Sequence, residues 1–315
     1  MKIVIPGGSG QVGTLLARSF AGTRDEVVVL GRSPRPAPWR VVAWDAKSEG
    51  PWWGEVDGAD VVINLTGRSV NCRYTPANRR EILASRVDST RAVGDAIARA
   101  ERPPRAWLQA STATIYAHTF GPAHDESEAV GDHDPGAPSA WDFSLEVATA
   151  WERALEEAET PRTRKVALRS AIILSPDRGG IFGTLLGLVR RGLGGTAGSG
   201  RQYVSWIHAT DFVAALRFLI EREDLAGPVN VAAPNPVTNV EFMRELRRAW
   251  GTRIGLPATE WMLALGALAL RTETELVLKS RRVVPGRLTR AGFQFAFPTW
   301  REAAVDLVES ARAAR

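Results

Sequence analysis

The sequence predicts an α/β protein built on a doubly wound parallel sheet, with a smaller, mostly helical C-terminal lobe. Apolar, β-branched runs recur along the first 174 residues, and segments with helical periodicity separate several of them. Such alternation is typical of a parallel sheet covered by helices. The runs that follow the N-terminal strand are Val27–Leu30, Val41–Trp44, Asp60–Leu65, Ala106–Ala110 and Val166–Leu174.

The first predicted strand ends in glycines three residues apart, and an amphipathic stretch follows. Gly7 allows the tight turn, Gly10 lets backbone N–H groups approach a pyrophosphate, and Gly13 lets the helix pack against the strand. The N-terminus of that helix then faces the anion. The segment predicts a dinucleotide site, against the alternative of an ordinary glycine turn. The site also includes the residues between the glycines, Ser9, Gln11 and Val12.

Two long helices and a change of pattern define the rest of the chain. Helices are predicted over Asn78–Ala100, which ends before Pro103, and over Asp142–Glu159. After Leu174 a glycine-rich stretch, residues 179–200, predicts loops and a helix outside the sheet. The chain then returns with a strand over Tyr203–Ile207, a helix over Thr210–Glu221 and a strand over Val229–Ala232. We therefore predict a dinucleotide-binding domain of residues 1–174 and 203–233, and a substrate lobe with a basic C-terminal domain of residues 175–202 and 234–315.

Composition narrows the class of protein. With 315 residues, of which 44% are hydrophobic and 24% are charged, the chain can bury a large core. The single Cys72 excludes an intramolecular disulfide and a thiolate metal cluster, and we predict no metal site. The chain opens on a strand without the regions of a signal peptide, so we expect a cytoplasmic protein. The apolar segment Trp261–Leu270 is about half of a membrane span, which favours a packed helix and no membrane contact.

The excess positive charge lies in the C-terminal part. Residues 236–315 contain thirteen Lys or Arg and eight Asp or Glu, a difference of +5 that equals the net charge of the chain. Its cations can bind phosphate or carboxylate groups of a substrate, or they can form a solvated basic face. Nucleic acid is not an expected partner, because aromatic residues do not interleave with the cations. The clustered cations are Lys279, Arg281, Arg282, Arg287 and Arg290.

Several motifs resemble those of extended short-chain dehydrogenases/reductases of the nucleoside-diphosphate-sugar epimerase kind, over nearly the whole length. They are the Gly7-x-x-Gly10-x-x-Gly13 turn, Asn64-Leu65-Thr66-Gly67, Ala110-Ser111-Thr112-Ala113-Thr114-Ile115-Tyr116, Leu168-Arg169 and Trp206-Ile207-His208-Ala209-Thr210-Asp211. Three further segments resemble an atypical epimerase-like subfamily with a C-terminal domain of unassigned function. They are Ser85-Arg86-Val87, the stretch from Asp142 to Val147, and the stretch from Leu278 to Pro285. The resemblance implies a Rossmann fold and a homodimer through helices 78–100 and 142–159, and it names no substrate.

The end of the second strand bears on the choice of cofactor. An NAD-selective enzyme usually places a carboxylate there, whereas a 2′-phosphate needs a cation. Here the strand ends in Gly31, Arg32 and Ser33, so Arg32 can pair with the 2′-phosphate and Ser33 can donate to it. This favours NADP(H), against the alternative of an exposed loop arginine. The resemblance also places Asp45 near the adenine and the segment Leu65-Thr66-Gly67 near the adenosine ribose.

The catalytic positions depart from the family pattern. In the family a Tyr-x-x-x-Lys pair on a helix transfers the proton, and a Ser or Thr orients the substrate oxygen. The matching positions here hold Phe143 and Val147, neither of which transfers a proton. Arg86 stands where the family has an active-site Asn. Thr112 keeps the hydroxyl of the Ser/Thr position.

Other groups must then supply the proton. Glu146 lies one residue before the lost Lys position, Tyr116 four residues after Thr112, and His118 two residues further on. Each has a plain alternative: a helix-surface acid, a packed aromatic with a hydroxyl partner, and a loop residue. Trp141 can wall an apolar substrate or pack in the core.

Four polar residues are expected near the cofactor or the domain junction. Glu81 and Arg86 can line the cofactor pocket, with Arg86 reaching the ribose or the phosphates, or they can form surface or intrahelical pairs. His208 and Asp211 are expected to hold the junction and to cap the helix that starts there.

Two functions follow from these observations. The first is an NADP(H)-dependent oxidoreductase or epimerase that acts on an unidentified small molecule through nonstandard acid/base groups. The second is a catalytically silent NADP(H)-binding regulator or scaffold, which the loss of the Tyr, Lys and Asn together would explain.

Overall fold

A seven-stranded parallel sheet forms the centre of the computed structural model, which describes residues 1–130, 137–177, 179–259, 262 and 273–314. The strands are β1 Lys2–Pro6, β2 Glu26–Gly31, β3 Arg40–Ala43, β4 Val61–Asn64, β5 Ala106–Thr112, β6 Arg164–Ser170, β7 Ile172–Leu174, β8 Tyr203–Val204, β9 Trp206–His208, β10 Gly227–Val231 and β11 Val237–Thr238. The order in the large sheet is β10-β6-β5-β4-β1-β2-β3, with every pairing parallel. The predicted doubly wound parallel sheet is confirmed.

Helices cover both faces of this sheet. They are α1 Gln11–Ala21, α2 Trp53–Val56, α3 Pro76–Arg99, α4 Asp142–Glu156, α5 Ile181–Arg190, α6 Ala209–Glu221, α7 Asn239–Trp250, α8 Glu275–Leu278, α9 Gly286–Arg290 and α10 Trp300–Ala313. The buried side chains of α1 and α6 join one core cluster, and those of α3 join a second cluster on the opposite face. None of the helices in the described ranges is long and apolar enough to cross a membrane.

The strand order places the functional region. β1 lies between β2 and β4, so consecutive strands leave β1 in opposite directions. In such sheets ligands bind outside the carboxyl ends of the strands at this switch point. The glycine turn after β1 and the loops after β2 and β4 meet there.

The two long predicted helices are confirmed with shifted ends. α3 begins at Pro76, two residues earlier than predicted, because the Thr75 side chain accepts from the backbone N–H of Asn78. Pro76 lacks an N–H and fits the first turn of a helix. α4 ends at Glu156, three residues earlier than predicted. The predicted helix over Trp261–Leu270 lies outside the described residues, apart from Met262.

Two predicted strands are each divided in two. The run Val166–Leu174 forms β6 and β7, because Ala171 donates to the carbonyl of Val231 and Ile172 donates to that of Ser205. β7 thus leaves the large sheet and pairs with β9. Ser205 likewise divides β8 from β9.

A third core cluster holds α5, α7 and α10 together beyond the large sheet. The rings of Phe242 and Trp300 stack with centroids 4.0 Å apart, and Trp206 packs edge-on against Trp300 at 5.2 Å. The strap, which we define as residues 279–284, then runs back to the sheet. Its backbone bonds to the loop after β5 and to β8, through His124 N–H to the Arg282 carbonyl at 2.7 Å and Arg281 N–H to the Tyr203 carbonyl at 2.9 Å.

Candidate functional site

The glycine turn after β1 has no room for side chains at two of its three glycines. Gly7 has a φ of +74°, and a Cβ there would lie 2.8 Å from the backbone nitrogen of Thr66. A Cβ at Gly13 would lie 2.3 Å from the Cα of Gly8, so only glycine lets α1 approach the turn. A Cβ at Gly10 would meet only the Gly7 carbonyl oxygen, at 3.8 Å. Gly10 therefore faces open space, as the predicted approach to a pyrophosphate requires.

The start of α1 fits an anion. Gly10 is the N-cap residue of α1, so no side chain caps the helix, and its first turn contains no acidic residue. Free N–H groups and the helix dipole favour negative charge at such an end. Close by, the Thr66 hydroxyl oxygen is buried and has no hydrogen-bond partner among the described residues. An orphaned hydroxyl beside an open glycine turn fits the ribose and phosphates of a dinucleotide.

The other predicted residues of the turn lie around this opening. The Ser9 side chain lies 3.7 Å from the position that a Cβ at Gly31 would take. The Gln11 amide donates to the Asp177 carbonyl at 3.5 Å, and Val12 packs against the core cluster of α1. Gln11 therefore faces the segment after β7, and contact of these three residues with a dinucleotide stays a prediction.

A cationic groove of ≈ 520 Å³ adjoins the glycine turn at the end of β2. Arg32, Ser33 and Arg35 line it together with Ser9 and Trp39. Neither arginine forms an ion pair within the described part of the chain. The groove thus holds two cations where a 2′-phosphate would lie. Arg35 was not among the predicted cofactor residues, although it follows Arg32 by only three residues.

The Asp45 carboxylate forms hydrogen bonds within its own turn. Its exposed carboxylate accepts from the backbone N–H groups of Lys47 at 2.9 Å and Ser48 at 2.8 Å. These backbone hydrogen bonds, that of Ser48 first, hold the pKa of Asp45 below its usual value. The carboxylate shapes the turn after β3, and its contact with an adenine stays a prediction.

The loop after β4 connects the cofactor opening to a second space. Leu65 donates to the Pro6 carbonyl at 2.9 Å, and Thr66 donates to the Asn64 side chain at 3.0 Å. A Cβ at Gly67 would lie 3.1 Å from the guanidinium carbon of Arg86. The glycine therefore lets Arg86 lie directly beneath the loop.

A cavity of ≈ 120 Å³ lies beyond this loop, between α3, α4 and the strap. It brings together Thr112, Phe143, Val147 and Arg86, four positions that the sequence associates with catalysis. Phe143 and Val147 are buried and line the cavity with apolar side chains. The lining is Val70, Tyr74, Ile82, Arg86, Thr112, Thr114, Phe143, Ser144, Val147, Trp151 and Arg281.

Two predicted catalytic residues lie elsewhere. Glu146 is exposed, because one residue along a helix turns its side chain by about 100° away from that of Val147. Tyr116 is buried with its hydroxyl donating to Asn230 Oδ1 at 2.8 Å and accepting from Arg169 at 2.9 Å. Burial raises the pKa of Tyr116. The plain alternatives hold for both: Glu146 is a helix-surface acid, and Tyr116 is a packed aromatic with hydroxyl partners.

Glu81 and Arg86 have different partners. The exposed Glu81 carboxylate pairs with Arg68, which is the surface pairing that the sequence left open. Arg86 instead donates to the carbonyls of Arg68 at 3.1 Å and Ile82 at 2.9 Å, and it lies 4.9 Å from the ring centre of Trp151. Burial lowers the pKa of Arg86 to about 10.

Tyr74 lines this cavity and was not among the predicted site residues. The Tyr74 ring packs edge-on against Phe143 at 5.1 Å, and its hydroxyl lies near that of Ser144. The Ser144 hydroxyl in turn donates to Glu275 Oε2 at 2.6 Å. Burial raises the pKa of both Tyr74 and Glu275. Nothing in the sequence links these residues, since Glu275 follows Tyr74 by 201 positions.

The basic C-terminal cluster contains both inward-facing and exposed cations, with Arg290 exposed. Lys279 is buried, with its ammonium 3.4 Å from the Thr114 carbonyl, and Arg281 reaches Thr114 Oγ1 at 3.1 Å. The Arg282 guanidinium stacks on Tyr203. The remaining two also have partners: Arg287 donates to the carbonyls of Ala226 and Pro228, and Arg290 pairs with Asp125.

Three polar residues tie the C-terminal elements to the sheet. His208 Nδ1 accepts from Thr210 N–H and caps α6, and Asp211 accepts from Ala296 and Phe297. The predicted cap is confirmed for His208 alone, because the Asp211 carboxylate accepts from Ala296 and Phe297 and not from the start of α6. His118 Nδ1 accepts from Ser280 at 2.9 Å, so this loop residue positions the strap.

Trp141 was predicted either to wall an apolar substrate or to pack in the core. Trp141 packs edge-on against His118 and does not line the cavity. Within the described ranges, no group of three or more His, Cys, Asp or Glu side chains can hold a metal ion.

The sequence matches two family models. The model of the NAD dependent epimerase/dehydratase family matches residues 3–232, and that of a domain of unknown function (DUF1731) matches residues 258–307. The DUF1731 match thus includes α8 and the strap, to which Arg281 belongs.

Similar proteins span nearly the whole chain. The epimerase family protein SDR39U1 of Mus musculus is 32% identical over 316 residues, which covers 98% of this chain and 100% of that protein. The epimerase family protein YfhF of Bacillus subtilis is 31% identical over 303 residues, 94% of each chain. The crystal structure of human SDR39U1 (isoform 2) with NADPH has a TM-score of 0.85 at 30% identity, covering 98% of this chain and 99% of that chain.

Proposed function

Since the chain belongs to the NAD dependent epimerase/dehydratase family, we propose that it is an NADP(H)-dependent oxidoreductase or epimerase acting on a small molecule. One observation carries the proposal. The opening around Gly10 and the cavity around Thr112 adjoin where Arg86 lies against Gly67 in the loop after β4. A dinucleotide bound at the first space therefore ends next to a small cavity lined with hydroxyl groups.

NADP(H) is the cofactor that the groove favours. Arg32 and Arg35 lie where a 2′-phosphate needs cations, and the similar human structure contains NADPH. The orphaned Thr66 hydroxyl and the uncapped start of α1 provide the contacts for ribose and pyrophosphate. When bound, NADP(H) supplies or accepts a hydride. Arg32→Ala should weaken NADPH binding at least about tenfold more than NADH binding, since it removes a charge-assisted pair with the phosphate.

The proton comes from residues of the cavity. Phe143 and Val147 replace the usual Tyr and Lys, and neither transfers a proton. Tyr74 offers a hydroxyl in the same cavity, near Ser144, whose own hydroxyl donates to the Glu275 carboxylate. We assign Tyr74 as the group that exchanges a proton with the substrate and Thr112 as the hydroxyl that orients the substrate oxygen.

Turnover by variants tests this function. With a panel of small ketones, aldehydes and oxo acids, NADPH oxidation is measured for the wild type, Tyr74→Phe and Thr112→Ala. Each variant should lower kcat by about 100-fold, the usual contribution of one acid/base group, and leave the Kd for NADPH unchanged. Tyr203→Phe, which removes a hydroxyl outside the cavity, is the matched control. Equal losses of kcat in Tyr74→Phe and Tyr203→Phe would show that Tyr74 does not exchange the proton.

A catalytically silent NADP(H)-binding regulator or scaffold is the second candidate. The observation in its favour is that Phe143 and Val147 present apolar side chains where the family has its proton-transferring pair. This candidate predicts no oxidation of NADPH with any member of the panel, while NADPH changes the binding of a protein partner in a pull-down. A homodimer through α3 and α4 and a cytoplasmic location stay predictions, which light scattering and cell fractionation test.

A further inference from the structure

The cavity contains two guanidinium groups, and neither forms an ion pair with a carboxylate among the described residues. Arg86 donates only to the carbonyls of Arg68 and Ile82 and lies against the Trp151 ring. Its Nε and Nη2 groups have no acceptor within the described part of the chain. In those same residues, no carboxylate lies within ion-pair distance of Arg86.

Arg281 enters the same cavity from the strap. Its Nε donates to Thr114 Oγ1 at 3.1 Å, and its Nη groups reach the carbonyls of Lys279 and Glu275 only at 3.5 Å. The nearby Glu275 carboxylate is engaged by Ser144 at 2.6 Å and lies 4.0 Å from the Lys279 ammonium. Arg281 therefore has one good neutral acceptor and two marginal ones.

Two cations in one small space need an anion. A charge removed from water is unfavourable unless a counter-charge and hydrogen bonds compensate it. Burial lowers the pKa of Arg86 and of Arg281, although the Glu275 carboxylate acts in the opposite direction on Arg281. Arg86 has no carboxylate within ion-pair distance among the described residues, so the counter-charge of the two cations is incomplete without a ligand.

We infer that the cavity binds a small carboxylic acid whose carboxylate lies between Arg86 and Arg281. A carboxylate is planar and accepts two parallel N–H bonds from a guanidinium, so its shape suits both arginines. The rest of the acid faces Ile82, Phe143 and Val147, which suit a short hydrocarbon group. The inference rests on the proposed function for the reaction, and it names the class of substrate on which the reaction acts.

The size and lining of the cavity favour a carboxylate over a phosphate ester. Its volume of ≈ 120 Å³ admits a molecule of a few carbon atoms. The hydroxyls of Thr112 and Tyr74 lie on the same lining, where they can bond to an oxo or hydroxyl group on the carbon next to the carboxylate. A short 2-oxo acid or 2-hydroxy acid satisfies all of these groups at once.

Calorimetric titration of the full-length protein tests the inference without turnover. The probes are 2-oxobutanoate and 2-oxo-4-methylpentanoate, each beside its methyl ester, in the absence and presence of saturating NADPH. At least one acid should bind about tenfold or more tightly than its ester, because the ester lacks the charge that both arginines require. Arg281→Gln should lower the affinity for the acid by at least about tenfold and leave that for the ester unchanged.

A neighbouring arginine gives the matched control. Arg282→Gln removes a guanidinium that donates to the Gly121 carbonyl and stacks on Tyr203 outside the cavity. It should bind the acids as the wild type does, and far-UV circular dichroism should show that both variants are folded. Arg281→Lys, which keeps the charge, should retain part of the affinity even where Arg281→Gln loses it.

Four results would overturn the inference. They are failure of both acids to bind, equal binding of acid and ester, equal losses in the two Gln variants, and competition between the acids and NADPH, which would assign the arginines to the cofactor. Tight acid binding without oxidation of NADPH would refute the proposed function and leave the anion site standing. Turnover of uncharged carbonyl compounds without acid binding would do the reverse.

Discussion

At the scale of single residues, the three glycines of the first turn are required for different reasons. Gly13 is excluded from bearing a Cβ by the backbone of Gly8, a contact inside the protein. Gly10 has space around it and an ordinary φ of −77°. The sequence pattern gives the three positions one meaning, but the structure separates a folding requirement from a binding requirement.

Alanine substitutions distinguish these two requirements. Gly10→Ala should fold with unchanged or slightly raised stability, since alanine restricts the unfolded chain by roughly 0.4–1 kcal/mol. Its NADPH affinity should fall at least about tenfold, because the methyl group occupies the approach to the pyrophosphate. Gly13→Ala should lose about 1–3 kcal/mol of stability through overpacking. Thermal unfolding and fluorescence titration with NADPH measure both, and normal binding by Gly10→Ala would place the pyrophosphate elsewhere.

The residues of the cavity show what sequence spacing can and cannot predict. Thr112, Phe143 and Val147 were found because they hold fixed positions within motifs on β5 and α4. Glu146 was misassigned because one step along a helix points the side chain away from the cavity. Tyr74 and Arg281 were missed as partners of Thr112 because only tertiary packing brings their loops together, and Arg281 follows Thr114 by 167 positions.

At the scale of secondary structure elements, a buried ion pair joins β6 to α4. Arg169 donates to Glu152 through Nε at 2.9 Å and Nη2 at 2.7 Å, and Ser111 of β5 bonds to the same carboxylate. The side chains of Arg169 and Glu152 are 6% and 9% exposed. The hydrogen bonds and charge of Glu152 raise the pKa of Arg169 against the opposing effect of burial. The pair therefore fixes α4, and with it Phe143 and Val147, against the end of the sheet.

Neutralising one partner of this pair should be costly. Glu152→Gln leaves the buried charge of Arg169 without its counter-charge, so we expect a loss of about 3–5 kcal/mol in the free energy of unfolding. Arg153→Gln, an exposed change on the same helix, should alter stability by less than about 0.5 kcal/mol. Urea denaturation of both variants measures the difference. Similar stabilities would show that the pair does not hold α4.

The cap of α6 makes the stability of the fold depend on pH. His208 accepts from Thr210 N–H through Nδ1, which requires a neutral ring, and its Nε2 lies 3.1 Å from Asp306. Burial lowers the pKa of His208 below 6.5, although Asp306 and Asp211 act in the opposite direction. The folded state therefore binds fewer protons than the unfolded state, and stability is lost as the pH falls below about 6.5.

A variant without the titrating ring isolates this effect. His208→Asn keeps an acceptor for the first turn of α6 but does not titrate. Between pH 7 and pH 5 the Tm of the wild type should fall more steeply than that of His208→Asn. The expected difference corresponds to about 1 kcal/mol, the usual contribution of one helix cap. Parallel curves for the two proteins would assign the pH dependence to other groups.

At the scale of the whole molecule, the C-terminal elements belong to the structure that surrounds the site. The backbone of the strap forms hydrogen bonds with β8 and with the loop that follows β5. Val283 of the strap is fully buried in a cluster with Tyr116 and Leu145. The sequence predicted a separate basic lobe from its composition. Charge counting could not show that Lys279 and Arg281 point inward, because the burial of a cation depends on the acceptors it meets after folding.

The strap should consequently unfold together with the sheet. Its backbone N–H groups at Arg281 and Val284 donate to the carbonyls of Tyr203 and His124, so their exchange with solvent requires the strap to leave both partners. Because such departure also exposes Val283 and the cations of the cavity, we expect amide exchange in the strap to be as slow as in β5 and β6. Hydrogen exchange followed by mass spectrometry of peptides from the native protein measures this. Fast exchange confined to residues 279–284 would instead show a strap that opens by itself, and acid binding at Arg281 would then have to close it.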